Sequence, residues 1–496
     1  MRRTGDQSAA GRGGPDRPAR HARAAAIAAG AALLLWPAAL NGYPLVFSDT
    51  GAFLAQTVLG WPVWDKPFVY GPVLHAFHWR LTLWLPVAAQ GLALSWLLWL
   101  VQRALGGATP GRHLLLCAGL AAATAAPWFA ASLMPDWLAP ALVLALFLLG
   151  FGWDGLARWE RAALGLLALL ACAAHLSHLP LAAALAPLVL ALRRDWRPAL
   201  RCALPLAGAL ALLLATNAWA HGRWAVSPHG AVFALARLVA DGPAARTIAA
   251  RCPEAGWHLC RWAGRLPADS DEFLWSPAGP VWAPRTDGAQ PGGPISLAPE
   301  AAAILAETLR REPLAVLQAA ALNTWRQLFM ARVGDTLGPE NLEASVARQL
   351  ALGFPRAEQA RFAASLQARG LLRPAAQPFL ALHPAALLLG AAGTLLAWAR
   401  VRDKRRLGLV LCVLVGVAAN AAATGALSGP HDRYQARIAW LLPLAALLAS
   451  AAPARADAVR AGSPATPSPC PAPPSPPPAP LPSARTGRPS RAACRA

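Results

Sequence analysis

The stretch "EPLAVLQAAALNTWRQLFM" (312–330) decides how many times this chain crosses a membrane. It is apolar enough to read as a span, but Asn323, Arg326 and Gln327 interrupt it. The basic stretch "RVRDKRR" (400–406) settles the reading. One extra crossing would throw that stretch onto the face opposite every other basic loop, against the rule that Lys and Arg stay cytoplasmic. We therefore read 312–330 as an interfacial helix, not a crossing.

Composition sets the class. The chain has 496 residues, of which 56% are hydrophobic and only 14% charged, with 21 Trp. A soluble protein of this size carries more charge on its surface, so these values point to an integral membrane protein. The formal charge of +21 comes largely from Arg at the chain ends and in short loops. That pattern suits anionic lipid heads, and it lacks the basic stripe interleaved with aromatics that nucleic-acid binding needs. Membrane lipids are the expected partners, and nucleic acid is not.

A crossing takes about 20 apolar residues, and about ten stretches qualify or come close. They lie near 24–40, 81–102, 114–134, 137–153, 163–176, 178–192, 202–220, 379–399, 408–427 and 438–453. The fifth and sixth are split by "HLSHLP" (175–180), either a turn between two short spans or a break in one re-entrant element. One set of loops is uniformly basic: the N-terminal tail with Arg2, Arg3, Arg12, Arg17, Arg20 and Arg23, then Arg103 with Arg112, "DGLARWER" (154–161), "RRDWRPALR" (193–201) and "RVRDKRR". These go to the cytoplasm together, which puts both termini there.

The predicted organisation is a basic, disordered cytoplasmic tail (1–23), an N-terminal membrane module (24–220) and a mainly helical extracytoplasmic domain (221–378). A C-terminal membrane module (379–453) and a Pro-rich disordered cytoplasmic tail (454–496) follow. The first apolar run is read as a retained anchor, since no clear small-x-small cleavage site follows it. Cys117, Cys172, Cys202 and Cys412 fall in spans and pack as small apolar groups, whereas Cys470 and Cys494 fall in the C-terminal tail. Cys252 and Cys260, in "CPEAGWHLC", can close a disulfide in an oxidising compartment. No phosphate-binding Gly loop, zinc-protease helix motif or nucleophile elbow is present.

The rare polar residues fall on one side in this topology. Asp49 stands in "NGYPLVFSDTGAFL" (41–54) and Asp136 in "SLMPDWLAP" (132–140). His175, Ser177 and His178 occupy the break between spans, and "SGPHDRYQAR" (428–437) supplies His431, Asp432, Arg433, Tyr434 and Arg437. The first outer loop adds Asp65, Lys66, His75, His78 and Arg80. Ionisable groups at such depths are paired or functional. Each also has a structural reading. Asp49 and Asp136 can cap helices, His175 and His178 can be a hydrogen-bonded or a metal-binding pair, and Asp432 can neutralise Arg433.

An acid just after the first span, followed by aromatic residues, resembles the GT-C class of polytopic glycosyltransferases. The resemblance rests on Asp49 in "FSDTGAFL", Asp136 in "MPD", and a late "DRY" before "WLLPLAALL". It implies an all-α polytopic fold with a sizeable outer domain. It also implies transfer of a sugar from a polyprenyl-phosphate donor to an acceptor on the extracytoplasmic face. On that reading Asp49 is the general base, with its pKa raised by desolvation. Arg433 receives the lipid phosphate, helped by Lys66, Arg80 or His178, and Asp136 binds the sugar or orients a base. Many members carry two adjacent acids where this chain has Asp-Thr, so a divalent metal ion stays an open alternative and no other cofactor is expected. The chain also resembles bacterial membrane proteins without assigned activity, and the expected location is a bacterial inner membrane, multi-pass. A transporter or flippase is the main rival, although no internal repeat is visible. A non-catalytic envelope assembly protein is the second.

Overall fold

A computed structural model describes residues 17–284 and 292–451. Among these, every regular element is helical, and the one β pairing is an isolated parallel bridge between Leu45 and Ser132. Helices suit a lipid solvent because they satisfy their own backbone polar groups. The chain-end tails, except for residues 17–23, lie outside the described residues, as do Cys470 and Cys494.

Four helices are long and apolar enough to cross a membrane: Trp84–Ala104, Pro135–Gly155, Trp196–His221 and Lys404–Leu427. Leu372–Leu380 and His383–Arg400, bent by 43° at a short break, make a fifth if the pair counts as one span. Hydropathy alone reads about ten stretches, more than the helices among the described residues that are long and apolar enough by this measure. Chain breaks account for much of the difference. The first apolar run divides at Leu35 into Arg17–Leu34 and Trp36–Asn41, where Pro37 lacks the N–H to continue the ladder. The third divides at Thr124, whose extended backbone precedes Ala126–Ala130. The last divides at Trp440 into Asp432–Ala439 and Leu441–Ser450. "HLSHLP" is a short turn between Arg158–Ala174 and His178–Arg193, helices of 17 and 16 residues. The first helix also starts earlier than expected, at Arg17, and Arg23 is fixed there by Glu160 at 3.1 Å.

The central helix is the one around Leu138–Leu149, whose residues are all buried. A helix apolar all round belongs in the middle of a bundle. Trp84–Ala104, Arg158–Ala174, His178–Arg193 and Lys404–Leu427 pack around it. The described residues of 221–378 pack in several places, two of which are separate cores. Val232, Leu235, Phe273, Leu297 and Ile304 build a small core of their own, and Cys252 and Cys260 are joined as a disulfide beside it. Leu342, Val346, Leu350, Phe354 and Phe362 instead join the main core, next to Tyr43, Phe53 and Leu54 of the first loop.

Helix Pro313–Phe329, the opening stretch, lies against Lys404–Leu427. Two of its three interrupting polar residues face protein: Asn323 donates to Asp241, and Gln327 exchanges two hydrogen bonds with the His431 backbone, while Arg326 is exposed. Leu314, Leu317, Leu322, Trp325 and Phe329 are its exposed large apolar residues. The approach is close enough that a Cβ on Gly425 would lie 2.6 Å from the Asn323 carbonyl oxygen.

Gly425→Ala should therefore destabilise the protein in detergent by about 1–3 kcal/mol, the usual effect of overpacking, despite Ala's better helix propensity. Gly165→Ala, whose Cβ meets nothing within 4 Å, should be neutral or stabilising. Equal thermal midpoints for the two variants would contradict this packing.

Candidate functional site

The site begins with backbone geometry. Asn41 ends a short helix, and Gly42 adopts a left-handed φ of 75° that turns the chain back along the bundle. Leu45 then pairs with the 131–133 segment: its N–H donates to the Ala131 carbonyl at 3.0 Å, and its carbonyl accepts from Leu133 N–H at 2.9 Å. Gln90, from the middle of a span, donates to the Ala130 and Ser132 carbonyls and holds the other side of that segment. Gln367 completes the fixing of 41–46, accepting from Val46 N–H at 3.1 Å and donating back to the Val46 carbonyl at 2.6 Å. Two acid-bearing turns, separated by more than 80 positions, are thus pinned side by side (the Thr50 hydroxyl also donates to the Leu133 carbonyl).

Helix Ser48–Val58 follows, with Asp49 in its first turn. Capping falls to Thr50, whose Oγ1 accepts from Phe47 N–H at 3.0 Å, so Asp49 is not spent on the cap. Its carboxylate meets Lys66 Nζ at 3.1 Å through Oδ1 and faces Arg433 Nη1 across 3.9 Å through Oδ2. Lys66 also grips Asp65. Gln56 anchors the Lys66 turn by donating to the Pro67 carbonyl and accepting from Gly71 N–H.

Asp136 lies deeper. Its Oδ1 is 3.3 Å from Arg437 Nη1 and 3.9 Å from Arg433 Nε. Arg437 is fully buried, and its Nη2 donates to Ser177 Oγ at 2.8 Å and to Asn420 Oδ1 at 2.9 Å. Asn420, mid-way along a span, is itself held by Gln435 Oε1 and the Tyr434 carbonyl. The Arg433 guanidinium stacks over Phe47 at 4.7 Å and Tyr434 at 5.1 Å. Its two carboxylate contacts are both beyond hydrogen-bond length, and its buried Nη1 has no hydrogen-bond partner. Stacking and long-range charge hold this side chain, leaving a donor uncommitted.

The expected self-neutralising Asp432–Arg433 pair does not form. Asp432 accepts from Arg332 N–H at 2.9 Å, and Arg433 N–H donates to Asp335 at 3.0 Å. His175 Nδ1 lies 2.8 Å from Ser177 Oγ, while His178 Nδ1 lies 2.7 Å from the Ala171 carbonyl, to which it donates. Their rings sit 5.1 Å apart, and His178 Nε2 is a second buried atom without a partner. Arg80 stands apart from the cluster: it is exposed and donates to the Thr57 carbonyl. No group of three or more His, Cys, Asp or Glu suited to a metal ion occurs among the described residues.

Sequence reading missed Asp335, Tyr70, Trp137 and Asn420. Asn420 alone carried a signal, as a lone amide inside an apolar run. Asp335 sits in an unremarkable loop, and the buried Tyr70 hydroxyl reaches Trp137 and Asp136 only in the fold.

The electrostatics correct one expectation. Burial does push the Asp49 carboxyl up, but Lys66 and Arg433 outweigh it and hold Asp49 below the usual carboxylate range, not above it. Its side chain remains 31% exposed, which favours the two cations over desolvation as the deciding influence. Asp335 goes the other way, because burial lifts it more than Arg433 lowers it. Burial, with Arg437, Arg433 and Lys66 adding to it, pushes the His175 imidazole well down, so that ring is neutral. Carboxyls driven in opposite directions within one cluster are a mark of functional sites.

A depressed folded-state pKa means that Asp49 stabilises the protein above the ordinary carboxylate pKa of about 4, and that this contribution fades as pH falls through the lower folded value. Asp49→Asn should therefore be less stable than wild type at pH 7, with the difference shrinking under acid. A gap in thermal midpoint that widens on acidification would contradict the ion pairing.

No protein-family model, no curated protein and no solved structure matches this chain.

Proposed function

We propose that the chain is a polytopic membrane glycosyltransferase of GT-C type, using a polyprenyl-phosphate sugar and acting at the extracytoplasmic end of its bundle. One observation carries the reading. Asp49, Lys66, Asp136, Arg433 and Arg437, scattered over nearly 400 positions, meet at one end of the helices. Polar groups gathered at one end favour a transferase over a carrier, whose site usually lies near the midplane between repeated halves.

The residues divide the chemistry between them. Arg433 Nη1, with no hydrogen bond of its own, is the first donor for the lipid phosphate, and Lys66 the second. A phosphate arriving there competes with Asp49 for both cations. Losing them raises the affinity of Asp49 for a proton at the moment a base is wanted. Asp49 Oδ2, which faces Arg433 across 3.9 Å, takes the proton of the acceptor hydroxyl. The acceptor oxygen forms its bond to the anomeric carbon as the carbon–oxygen bond to phosphate breaks. The electron pair leaves on the phosphate, against Arg433. Asp136, clamped by Arg437, fixes Arg433 from below and is a positioning residue. Both termini are then cytoplasmic, as the basic loops require, in a bacterial inner membrane.

The test is transfer from labelled polyprenyl-phosphate hexoses by the full chain in proteoliposomes. Asp49→Asn should lower kcat by about 10²–10⁴-fold, the range for loss of a general base. Arg433→Gln should raise KM for the donor more than it lowers kcat. Undiminished transfer by Asp49→Asn would remove the base assignment.

A further inference from the structure

A second feature lies at the other end of the same helices. A cavity of about 330 Å³ opens between Pro110–Ala123 and Leu441–Ser450. Leu105, Leu115, Leu116, Leu447 and Leu448 wall it. Gln102, Arg112 and Arg406 supply its polar side. Gln102 belongs to the helix that carries Gln90, and Arg406 to the helix that carries Asn420, so the cavity and the acid–arginine cluster occupy opposite ends.

The helix that supplies Arg406 opens on a basic run. Arg402, Lys404, Arg405 and Arg406 follow one another around a single acid, Asp403. That acid is occupied with the Arg406 backbone N–H at 2.9 Å, as the cap of Lys404–Leu427. Arg405 and Arg406 donate only weakly to helix-end carbonyls, at 3.4 Å each.

Beside the cavity runs an apolar trough between the first helix and Pro110–Ala123, formed by Ala29, Ala32, Leu33, Trp36, Leu114 and Ala118. Leu115 lines both hollows and is 74% exposed, a ridge between them. Two apolar slots on either side of one ridge, the first with Arg112 and Arg406 on its polar side, match a headgroup with two chains. We propose that this cleft binds one anionic diacyl phospholipid from the bordering leaflet, its phosphate at Arg112 and Arg406 and its chains on either side of Leu115. Basic pockets between membrane helices take anionic headgroups by this charge complementarity. The inference is independent of the proposed transferase activity.

The test is native mass spectrometry of the full chain after exchange into nanodiscs of phosphatidylglycerol or phosphatidylcholine. Wild type should keep one phosphatidylglycerol under activation that strips phosphatidylcholine. The double variant Arg112→Gln with Arg406→Gln should weaken retention of phosphatidylglycerol by about thirtyfold, the loss of attraction from two surface cations. A Cβ at Gly119, which also lines the cavity, meets nothing within 4 Å, so Gly119→Trp should fold while filling the slot, and should lose the bound lipid. Equal retention of both lipids, or full retention by Gly119→Trp, overturns the proposal. So does a large gain in bound lipid on deleting 452–496, which would make the chain's own tail the occupant.

Discussion

A guanidinium with no solvent exposure needs acceptors from the protein, and Arg437 is such a group: both terminal nitrogens are answered, while Nε has no hydrogen-bond partner. Burying an ion without partners costs several kcal/mol, so the surrounding sequence has to supply acceptors wherever the donors point. Asp136 answers one nitrogen, and Ser177 and Asn420 answer another. Those three residues come from three different segments, a helical turn, an inter-helix turn and a long helix, so bonding to Arg437 draws the ends of the bundle together. Asn420 is in turn held by Gln435, which makes the buried polar layer continuous. A half-satisfied network of this kind is worse than an apolar core, which explains why so many of the chain's rare polar residues sit here.

A second layer, nearer the surface, is built differently. Arg433 is held by two aromatic faces and by carboxylates just beyond hydrogen-bond reach. Asp49 is held by Lys66, on a turn that Gln56 fixes. Arg437 is held by direct hydrogen bonds through both terminal nitrogens, whereas Arg433 keeps its Nη1 uncommitted, an arrangement suited to receiving an anion at Arg433. The backbone pairing at Leu45 fixes the distance between the layers, since it ties the Asp49 turn to the Asp136 turn directly. Tyr43 and Glu358 brace the same loop from behind, with the hydroxyl donating to the carboxylate at 2.7 Å.

Much of this was legible in the sequence because charge is rare in it. Asp49, Asp136, His175, Arg433 and Arg437 stand out in apolar surroundings, and a single topology brought them to one face. What the sequence hid were effects of neighbours. The pKa of Asp49 depends on Lys66 and Arg433 arriving from other segments, and composition alone predicts the wrong sign. Hydropathy also ran through helix breaks. It averages over positions such as Leu35, Thr124 and Trp440, where the helices break although the apolar run continues. The segment 312–330 shows the converse. Its polar residues interrupt an apolar run, and Asn323 and Gln327 are buried against Asp241 and His431. A polar group in an apolar run can face water or a polar partner equally well, and only the fold distinguishes them.

The account rests on Asp136 and Arg437 being partners inside the bundle, and a double-mutant cycle measures that directly. Unfolding free energies in detergent would be compared for wild type, Asp136→Asn, Arg437→Met and the double variant. Each single change leaves a buried group unpaired, so each should destabilise strongly, while the double variant should lose much less than their sum, with a coupling of about 1–3 kcal/mol. Losses that add to within about 0.5 kcal/mol would mean that the two residues do not meet, and the site built on them would not exist.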